Sequence, residues 1–122
     1  MSHFVETLNA MYLALIKIYP SPEMEPVIVD VLESLKGPNA ANADCLDCTI
    51  TVGDDDESRV ICYTERWRSR EALDCHLRSP FYGRILEAME FSQLPPVALF
   101  YEVNDAGGLE LVELARTDKS KH

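Results

Sequence analysis

The fold is decided by residues 45–67, which read "CLDCTITVGDDDESRVICYTERW". Two runs of alternating apolar and polar residues flank an acidic segment that contains a glycine, and this pattern predicts an antiparallel β-hairpin. Residues 53–58, "GDDDES", are the predicted loop, and residues 59–67 are the second strand of the hairpin. The first strand, residues 45–52, is expected to place four apolar side chains on one side: Leu46, Cys48, Ile50 and Val52.

The segments before the hairpin predict a strand and then a helix. Residues 11–19, "MYLALIKIY", are apolar at nearly every position, which is typical of a strand that is buried on both faces. In residues 21–38 apolar side chains recur at helical spacing, and Gly37-Pro38 predicts the end of the helix. The predicted stripe consists of Met24, Val27, Ile28, Val31, Leu32 and Leu35.

After the hairpin the sequence predicts two short helices and two further strands. Ser69 is expected to cap the first helix, and Ser79-Pro80 to end it and cap the second. Residues 95–103, "PPVALFYEV", predict a fourth strand, and residues 109–114, "LELVEL", a short fifth one. The apolar positions of the two helices are Ala72, Leu73, His76 and Leu77, followed by Phe81, Tyr82, Ile85, Leu86 and Met89.

The element order β-α-β-β-α-β predicts an α+β fold, the ferredoxin-like split βαβ arrangement with an antiparallel sheet and helices on one face. We expect one domain over residues 1–122, with its core in about residues 10–116 and flexible termini. Because the first strand is apolar on both sides, one helical layer cannot cover the sheet. Two sheets are therefore expected to pack face to face in a homodimer, a dimeric α+β barrel.

The charge balance limits the possible partners. The net charge is −10, from 21 acidic and 11 basic side chains, so nucleic acid is an unsuitable partner. No apolar run approaches the roughly 20 residues of a membrane span, and the N-terminus lacks an export signal. We therefore expect a cytoplasmic protein that does not bind membranes and whose four cysteines are reduced.

One corner of the predicted fold gathers the residues that could carry chemistry. His76 lies in an apolar stripe and could act as a general base, although a buried histidine that donates to a backbone carbonyl is more common. Four aromatic side chains surround this corner and could form a pocket for a flat aromatic ligand: Trp67, Tyr63, Phe81 and Tyr82. The same rings could equally be core residues.

Cys45 and Cys48 form a CxxC motif, which raises the question of a metal or redox site. Positions three apart in a regular strand face opposite sides and cannot grip one ion. We therefore expect no metal site and interpret all four cysteines as small packing residues or bystanders, with metal binding as the less favoured alternative.

The stretch "YTERWRSREALDCHLRSPFYGRIL", residues 63–86, resembles the antibiotic biosynthesis monooxygenase (ABM) family, whose members include small quinol monooxygenases. The resemblance consists of a Glu-x-Trp strand end, a Ser and a Glu-Ala-Leu that open a helix, a His, and then Ser-Pro with an aromatic residue. It implies a dimeric α+β barrel with a pocket between sheet and helices. It also implies that His76 is the catalytic base and that Trp67, Tyr63, Phe81 and Tyr82 bind the substrate.

Several members of this family oxygenate quinols or anthrones with dioxygen alone, so the resemblance implies no cofactor and a small aromatic substrate. Haem-degrading relatives have a tryptophan where this chain has His76 and an iron-binding histidine where it has Leu86. The first strand also lacks an asparagine that those relatives and some cofactor-free members carry. A haem oxygenase is therefore disfavoured.

Three functional interpretations follow. The first is a cofactor-independent monooxygenase that acts on a quinol-like or polycyclic aromatic substrate. The second is a non-catalytic barrel that binds or senses a small aromatic molecule, with His76 as a ligand contact. The third is a dimer without a ligand, which a pocket closed by side chains around His76 would favour.

Overall fold

The structure is a computed structural model that describes residues 10–117. The flexible termini expected from the sequence lie almost entirely outside the described residues. These residues form four strands and four helices, in this order along the chain: β1 (Ala10–Ile18), α1 (Glu25–Ala40), β2 (Cys45–Asp55), β3 (Ser58–Trp67), α2 (Arg70–Leu77), α3 (Pro80–Met89), β4 (Val97–Asn104) and α4 (Leu109–Thr117).

The four strands form one antiparallel sheet in the order β2-β3-β1-β4, so β2 and β4 are its edges. Strand β1 pairs with β3 on one side and with β4 on the other, and Ala14 lies between Glu65 and Phe100. This is the ferredoxin-like α+β arrangement that the element order predicted. Its consequence for the site is that β1 and β3 occupy the centre of the sheet.

One face of the sheet carries the core. Alternate residues of β1 and β3 are buried beneath the helices, as the two-residue period of a strand requires. Helices α1 and α3 supply the other half of the core, and they pack against each other to complete the helical layer. The buried cluster contains Ile16, Ile18, Ile28, Leu32, Leu35, Ile61, Tyr63, Tyr82, Ile85 and Ala88.

Among residues 10–117, no helix packs over the opposite face of the sheet. It presents Leu13 and Leu15 of β1 beside Tyr101 and Leu99 of β4, their cross-strand partners. Leu99 is 42% exposed and Tyr101 is 45% exposed, although both are large and apolar. The sequence predicted that one helical layer would leave apolar surface uncovered, and the single chain does expose such a surface.

Helix α1 continues through Gly37 and Pro38 to Ala40, so the end predicted at Gly37-Pro38 is wrong. The side chain of Asn39 is buried, and its amide donates to Tyr63 and Glu65. The backbone N–H of Ala41 reaches the Gly37 carbonyl at 3.0 Å, which keeps the last turn helical. Tertiary hydrogen bonds thus outweigh the local preference of glycine and proline to end a helix.

The hairpin loop is shorter than predicted. Strand β2 runs to Asp55 and β3 begins at Ser58, so only Asp56 and Glu57 form the turn. Asp56 has φ of 56°, a left-handed conformation that suits two-residue hairpin turns and that aspartate tolerates. The acidic residues before the turn therefore belong to the strand.

Residues 109–114 are not a fifth strand but the beginning of helix α4. The Glu110 carboxylate accepts a hydrogen bond from the Gly108 N–H at 2.8 Å, and the Leu111 N–H donates to the Gly108 carbonyl at 3.0 Å. These local bonds start a helix, and no residue of α4 is buried within the described chain. The alternation "LELVEL" fits either period over so short a run.

The two short helices largely follow the sequence. Ser69 caps α2 by accepting from the Ala72 N–H at 3.1 Å. Ser79 precedes α3 but makes no side-chain cap; its hydroxyl instead donates to the His76 carbonyl at 2.7 Å. Two predicted stripe residues of α3 are exposed, Phe81 at 45% and Leu86 at 51%. Within residues 10–117, no helix combines the length and apolarity required to cross a membrane.

Candidate active site

A buried carboxylate organises the site. Glu65 is 0% exposed, and its Oε2 accepts hydrogen bonds from Tyr63 Oη at 2.9 Å, Asn39 Nδ2 at 3.2 Å and His76 Nε2 at 2.9 Å. Its Oε1 accepts from Trp67 Nε1 at 3.2 Å. A carboxylate taken out of water needs such compensation, because an unpaired buried charge costs several kcal/mol or more. We call these five residues the Glu65 network.

The local structure explains how the network assembles. Tyr63, Glu65 and Trp67 alternate along β3 and therefore share the face beneath the helices. Helix α2 begins at the Ser69 cap and carries His76 two turns later onto the same face. Asn39 lies in the last turn of α1 and directs its amide at the same carboxylate. Three separate elements thus contribute donors to one carboxylate.

The chemistry of the donors assigns the proton positions. Indole and amide N–H groups only donate, so Glu65 acts as an acceptor toward Trp67 and Asn39. A carboxylate with four donors has its acceptor sites filled, and His76 Nε2 therefore carries a proton directed at Oε2. In the neutral imidazole the lone pair then resides on Nδ1, which is the nitrogen free to act as a base.

Aromatic rings hold the imidazole on two sides. The Trp67 and His76 rings are stacked with their centroids 4.5 Å apart, and Tyr82 meets the imidazole edge-on at 5.5 Å. The His76 side chain is 5% exposed. The expectation that His76 points inward is met, but its partner is a carboxylate and not the backbone carbonyl considered from the sequence.

Burial also affects the neighbouring phenols. Burial, and then the nearby Glu65 charge, raises the pKa of Tyr63 and of Tyr82 above the usual range for tyrosine. Both phenols therefore remain protonated at neutral pH. The Tyr63 hydroxyl serves as a donor to Glu65, and it also lies 3.5 Å from the Cys48 sulfur.

The structure brings together four of the five residues predicted for the site, namely His76, Trp67, Tyr63 and Tyr82. The remaining residue, Phe81, is 45% exposed and lies outside the buried cluster. Sequence reasoning missed the central role of Glu65, although its position between Tyr63 and Trp67 placed it on the buried face. It also missed Asn39, for which the sequence carries no comparable signal because a helix end was expected there.

A cleft of about 290 Å³ lies beside the network, on the helix side of the sheet. Leu73 and Leu77, which flank His76 on α2, form part of its wall, and Tyr12, the strand partner of Trp67, lies opposite. The remaining lining residues are Arg70, Asp74, Phe100, Tyr101 and Glu102. A cleft lined by both apolar and charged side chains can hold a planar ring that bears polar substituents, although none of the five residues of the Glu65 network lines it.

The prediction that Cys45 and Cys48 face opposite sides is wrong. A β-bulge absorbs Leu46, so that Cys45 lies opposite Trp67 and Cys48 lies opposite Glu65. Trp67 and Glu65 share the helix-facing side, and both cysteines therefore share it too. Among residues 10–117, no three His, Cys, Asp or Glu side chains are grouped closely enough to hold a metal ion together.

The comparison with solved structures supports the same fold. A proposed antibiotic biosynthesis monooxygenase from Caulobacter crescentus is 20% identical, with a TM-score of 0.67 over 86% of this chain and 100% of that one. A corresponding protein from Deinococcus radiodurans is 17% identical, with a TM-score of 0.68 over 80% and 96%. The protein Rv0793 from Mycobacterium tuberculosis is 21% identical, with a TM-score of 0.65 over 80% and 99%.

The family assignment comes from the sequence. A search of curated proteins found no match to this chain. The sequence profile of the family described as "Antibiotic biosynthesis monooxygenase" matches residues 11–88, which include β1 to β3, the hairpin and the whole Glu65 network. This match extends over more than half of the chain. The chain therefore belongs to the antibiotic biosynthesis monooxygenase family.

Proposed function

We propose that this protein is a cofactor-independent monooxygenase that acts on a quinol-like or polycyclic aromatic substrate. The observation that carries the proposal is the pairing of His76 Nε2 with the buried Glu65 carboxylate at 2.9 Å, with the imidazole stacked on Trp67. A carboxylate that fixes one nitrogen of a histidine leaves the other as an oriented base. Family membership supports the same reaction class.

In this mechanism His76 Nδ1 accepts the proton of an acidic substrate hydroxyl or C–H group. The resulting anion is electron-rich enough to transfer electrons to dioxygen, so the substrate itself is the reductant. One oxygen atom enters the substrate and the other leaves as water together with two substrate hydrogens. The protein's contributions are to bind the ring, remove the proton and exclude water.

We place the substrate ring in the 290 Å³ cleft, with its reacting edge directed at α2. Leu73 and Leu77 stand on either side of His76, so the ring must reach the imidazole past these two side chains. Trp67 and Tyr82 then hold the imidazole in position against the ring. Tyr63 orients Glu65 through its hydroxyl, whereas Phe81 is exposed and does not line this cleft, so we assign it no contact with the substrate.

The direct test is oxygen uptake by metal-stripped protein with a panel of reduced quinols and anthrones. We expect uptake above the buffer rate, and a loss of at least about 100-fold in His76→Ala, since general-base groups typically contribute 10²–10⁴-fold. Leu86→Ala, at an exposed position of α3, is the control and should keep full activity. Uptake that is unchanged in a folded His76→Ala variant would remove His76 from the mechanism.

A second candidate function is a non-catalytic barrel that binds or senses a small aromatic molecule. The observation that favours it is that the 290 Å³ cleft is lined by the rings of Tyr12, Phe100 and Tyr101 but not by His76, so a ring can be bound there without reaching the base. The burial of His76, whose side chain is 5% exposed, instead favours the interpretation without a ligand. Ring compounds would then raise the melting temperature of the wild type without any oxygen uptake. No thermal shift and no uptake across the panel would count against both functions and favour the interpretation without a ligand.

We also propose that two copies pack sheet to sheet as a homodimer. The open face of the sheet is apolar along β1 and β4, where Leu13, Leu15, Leu99 and Tyr101 adjoin, and polar along β2, where Thr51 is exposed. An apolar patch of this kind on a sheet face is typical of an interface between copies.

Light scattering should give twice the chain mass. Leu99→Glu should yield monomers, whereas Thr51→Glu on the same face should not; a monomeric wild type would contradict the proposal.

A further inference from the structure

The CxxC motif has a geometry that a regular strand does not provide. The bulge at Leu46 leaves Cys45 and Cys48 two positions apart on the strand ladder and on one face. Neighbouring residues on one face of a strand are about 6.7 Å apart along the chain. The two thiols are both free, both half-buried, and project from the same side of the edge strand β2.

Both cysteines line a cleft of about 470 Å³ between the end of α1 and the start of β2. Gly37 and Ala40 form the opposite wall, and an added Cβ at Gly37 would meet nothing within 4 Å. The small side chains of this helical turn therefore leave a path from solvent to the sulfur atoms. Lys36 lies on the same wall and brings a positive charge to the cleft.

We infer that Cys45 and Cys48 form a two-coordinate site for a soft monovalent metal ion, with copper(I) as the ion that fits best. Thiolate sulfur is a soft ligand that selects copper(I), zinc and iron–sulfur clusters. Structural zinc requires four ligands, but residues 10–117 hold no group of three suitable side chains. Two thiolates alone match the linear coordination that copper(I) accepts.

The distances favour a metal bridge over a disulfide. A disulfide needs Cα atoms about 4.4–6.8 Å apart and sulfurs about 2.0 Å apart, so a same-face spacing of about 6.7 Å is at its upper limit. Two metal–sulfur bonds of roughly 2.3 Å in line hold the sulfurs about 4.6 Å apart. Side chains at a same-face spacing of about 6.7 Å can place their sulfur atoms this far apart without a change in the strand backbone.

The surroundings suit a negatively charged complex. Two thiolates and one copper(I) ion carry a net charge of −1, and Lys36 on the cleft wall, which also pairs with Glu33 at 3.8 Å, is the nearest lysine in the cleft lining. The neighbouring Asp47 carboxylate is already paired with Arg66, so it adds little repulsion. Asn39 Nδ2 lies 3.3 Å from the Cys48 sulfur and donates to it, which orients one ligand in advance.

Binding is expected to be coupled to proton release. Copper(I) binds the deprotonated thiolate and not the thiol. Each thiol gives up one proton, and the copper(I) affinity should therefore rise with pH. The site does not require the proposed oxygenation, because its two ligands lie outside the Glu65–His76 pair; the two sites are connected only through Asn39, which donates to both Cys48 and Glu65.

The test is anaerobic titration of the full chain with copper(I) in competition with a chromophoric copper(I) chelator. We expect one ion bound per chain, and a loss of affinity of more than about 100-fold in Cys45→Ser and in Cys48→Ser, since loss of even an outer-sphere partner costs 10–100-fold. Cys62→Ser on β3 and Cys75→Ser on α2 are the matched controls and should retain the wild-type affinity.

X-ray absorption of the loaded protein should give two sulfur neighbours for the metal. Cys45→Ala and Cys48→Ala, each checked by its unfolding midpoint, replace the serine variants if these do not fold. The inference is overturned if Cys75→Ser weakens binding as much as Cys45→Ser. It is equally overturned if the wild type binds copper(I) no more tightly than the Cys45 variants, or if zinc is bound with comparable affinity at the same two residues.

Discussion

Replacing Glu65 by glutamine tests whether the buried network is built as described. The substitution keeps the shape of the side chain but removes the charge and turns one acceptor oxygen into a donor NH₂ group. If the amide oxygen takes the place of Oε2, the new NH₂ group faces Trp67 Nε1–H, and two donors oppose each other. If the amide is flipped, the NH₂ group faces two other donors, the Asn39 Nδ2 group and the His76 Nε2–H. Either orientation leaves at least one buried donor without an acceptor.

The magnitude follows from this count. An unsatisfied buried donor costs about 1–3 kcal/mol, and the remaining bonds to His76 and Tyr63 lose their charge assistance. We expect Glu65→Gln to lower the free energy of unfolding by about 2–4 kcal/mol. With a urea slope near 2 kcal/mol per molar, the unfolding midpoint should fall by about 1–2 M.

The assay is urea unfolding followed by circular dichroism, with Glu87→Gln as the matched control. Glu87 is exposed on α3 and outside the network, so its substitution should change stability by less than about 0.5 kcal/mol. A Glu65→Gln variant that unfolds at the wild-type midpoint would refute the reasoning, because it would mean that the carboxylate is not held by four donors.

Three further predictions concern the core, the phenols and the thiols. Leu32 is 0% exposed, and Leu32→Ala should lower the free energy of unfolding in urea by about 2–5 kcal/mol. Leu86 is 51% exposed, and Leu86→Ala should lower it by less than about 1 kcal/mol. Equal losses of stability would mean that α3 packs differently. Because burial raises the pKa of Tyr82, the unfolded state releases this proton first as the pH rises, so stability should fall above about pH 10. The decline between pH 9 and 11 should be smaller in Tyr82→Phe, and an identical decline would remove Tyr82 as a source. At pH 8, iodoacetamide should modify the exposed Cys75 well before Cys45, because burial raises the pKa of Cys45 to about 12. Mass spectrometry of the peptides gives the order of modification. The reverse order would contradict the burial of Cys45.

The sequence predicted the β-hairpin, the antiparallel α+β architecture and most of the helices because each is recognised from elements that depend on local periodicity. Strand β3 alternates cleanly over its whole length, and the Ser69 cap marks the start of α2. The end of α1 and the identity of α4 were mispredicted because they depend on something else. Asn39 extends α1 through bonds to distant residues, and six residues of "LELVEL" are too few to separate a strand period from a helical one.

The candidate site was predicted in part, because local periodicity also assigns some of its residues to the buried face. His76, Trp67 and Tyr63 follow from the stripe of α2 and the alternation of β3. Alternation also places Glu65 on the buried face, but a carboxylate in a strand is normally expected in solvent, because burial without partners is too costly. Only the convergence of donors from α1, α2 and β3 makes its burial possible, and that convergence exists only in the folded chain.

The bulge at Leu46 and the long α1 together give the network a connection to the edge of the sheet. The bulge turns Cys45 to the helix-facing side, where Cys48 already lies opposite Glu65, and the extra turn of α1 places Asn39 beside Cys48 and Glu65. The Asn39 amide donates both to the Cys48 sulfur and to the carboxylate that holds His76. Loss of the Cys48 thiol therefore removes one partner of the amide that also donates to Glu65, whereas a change at Cys75, which is exposed on α2, removes no bond of Asn39. The extension of α1, which sequence periodicity could not foresee, is what connects Cys48 through Asn39 to the carboxylate that holds His76.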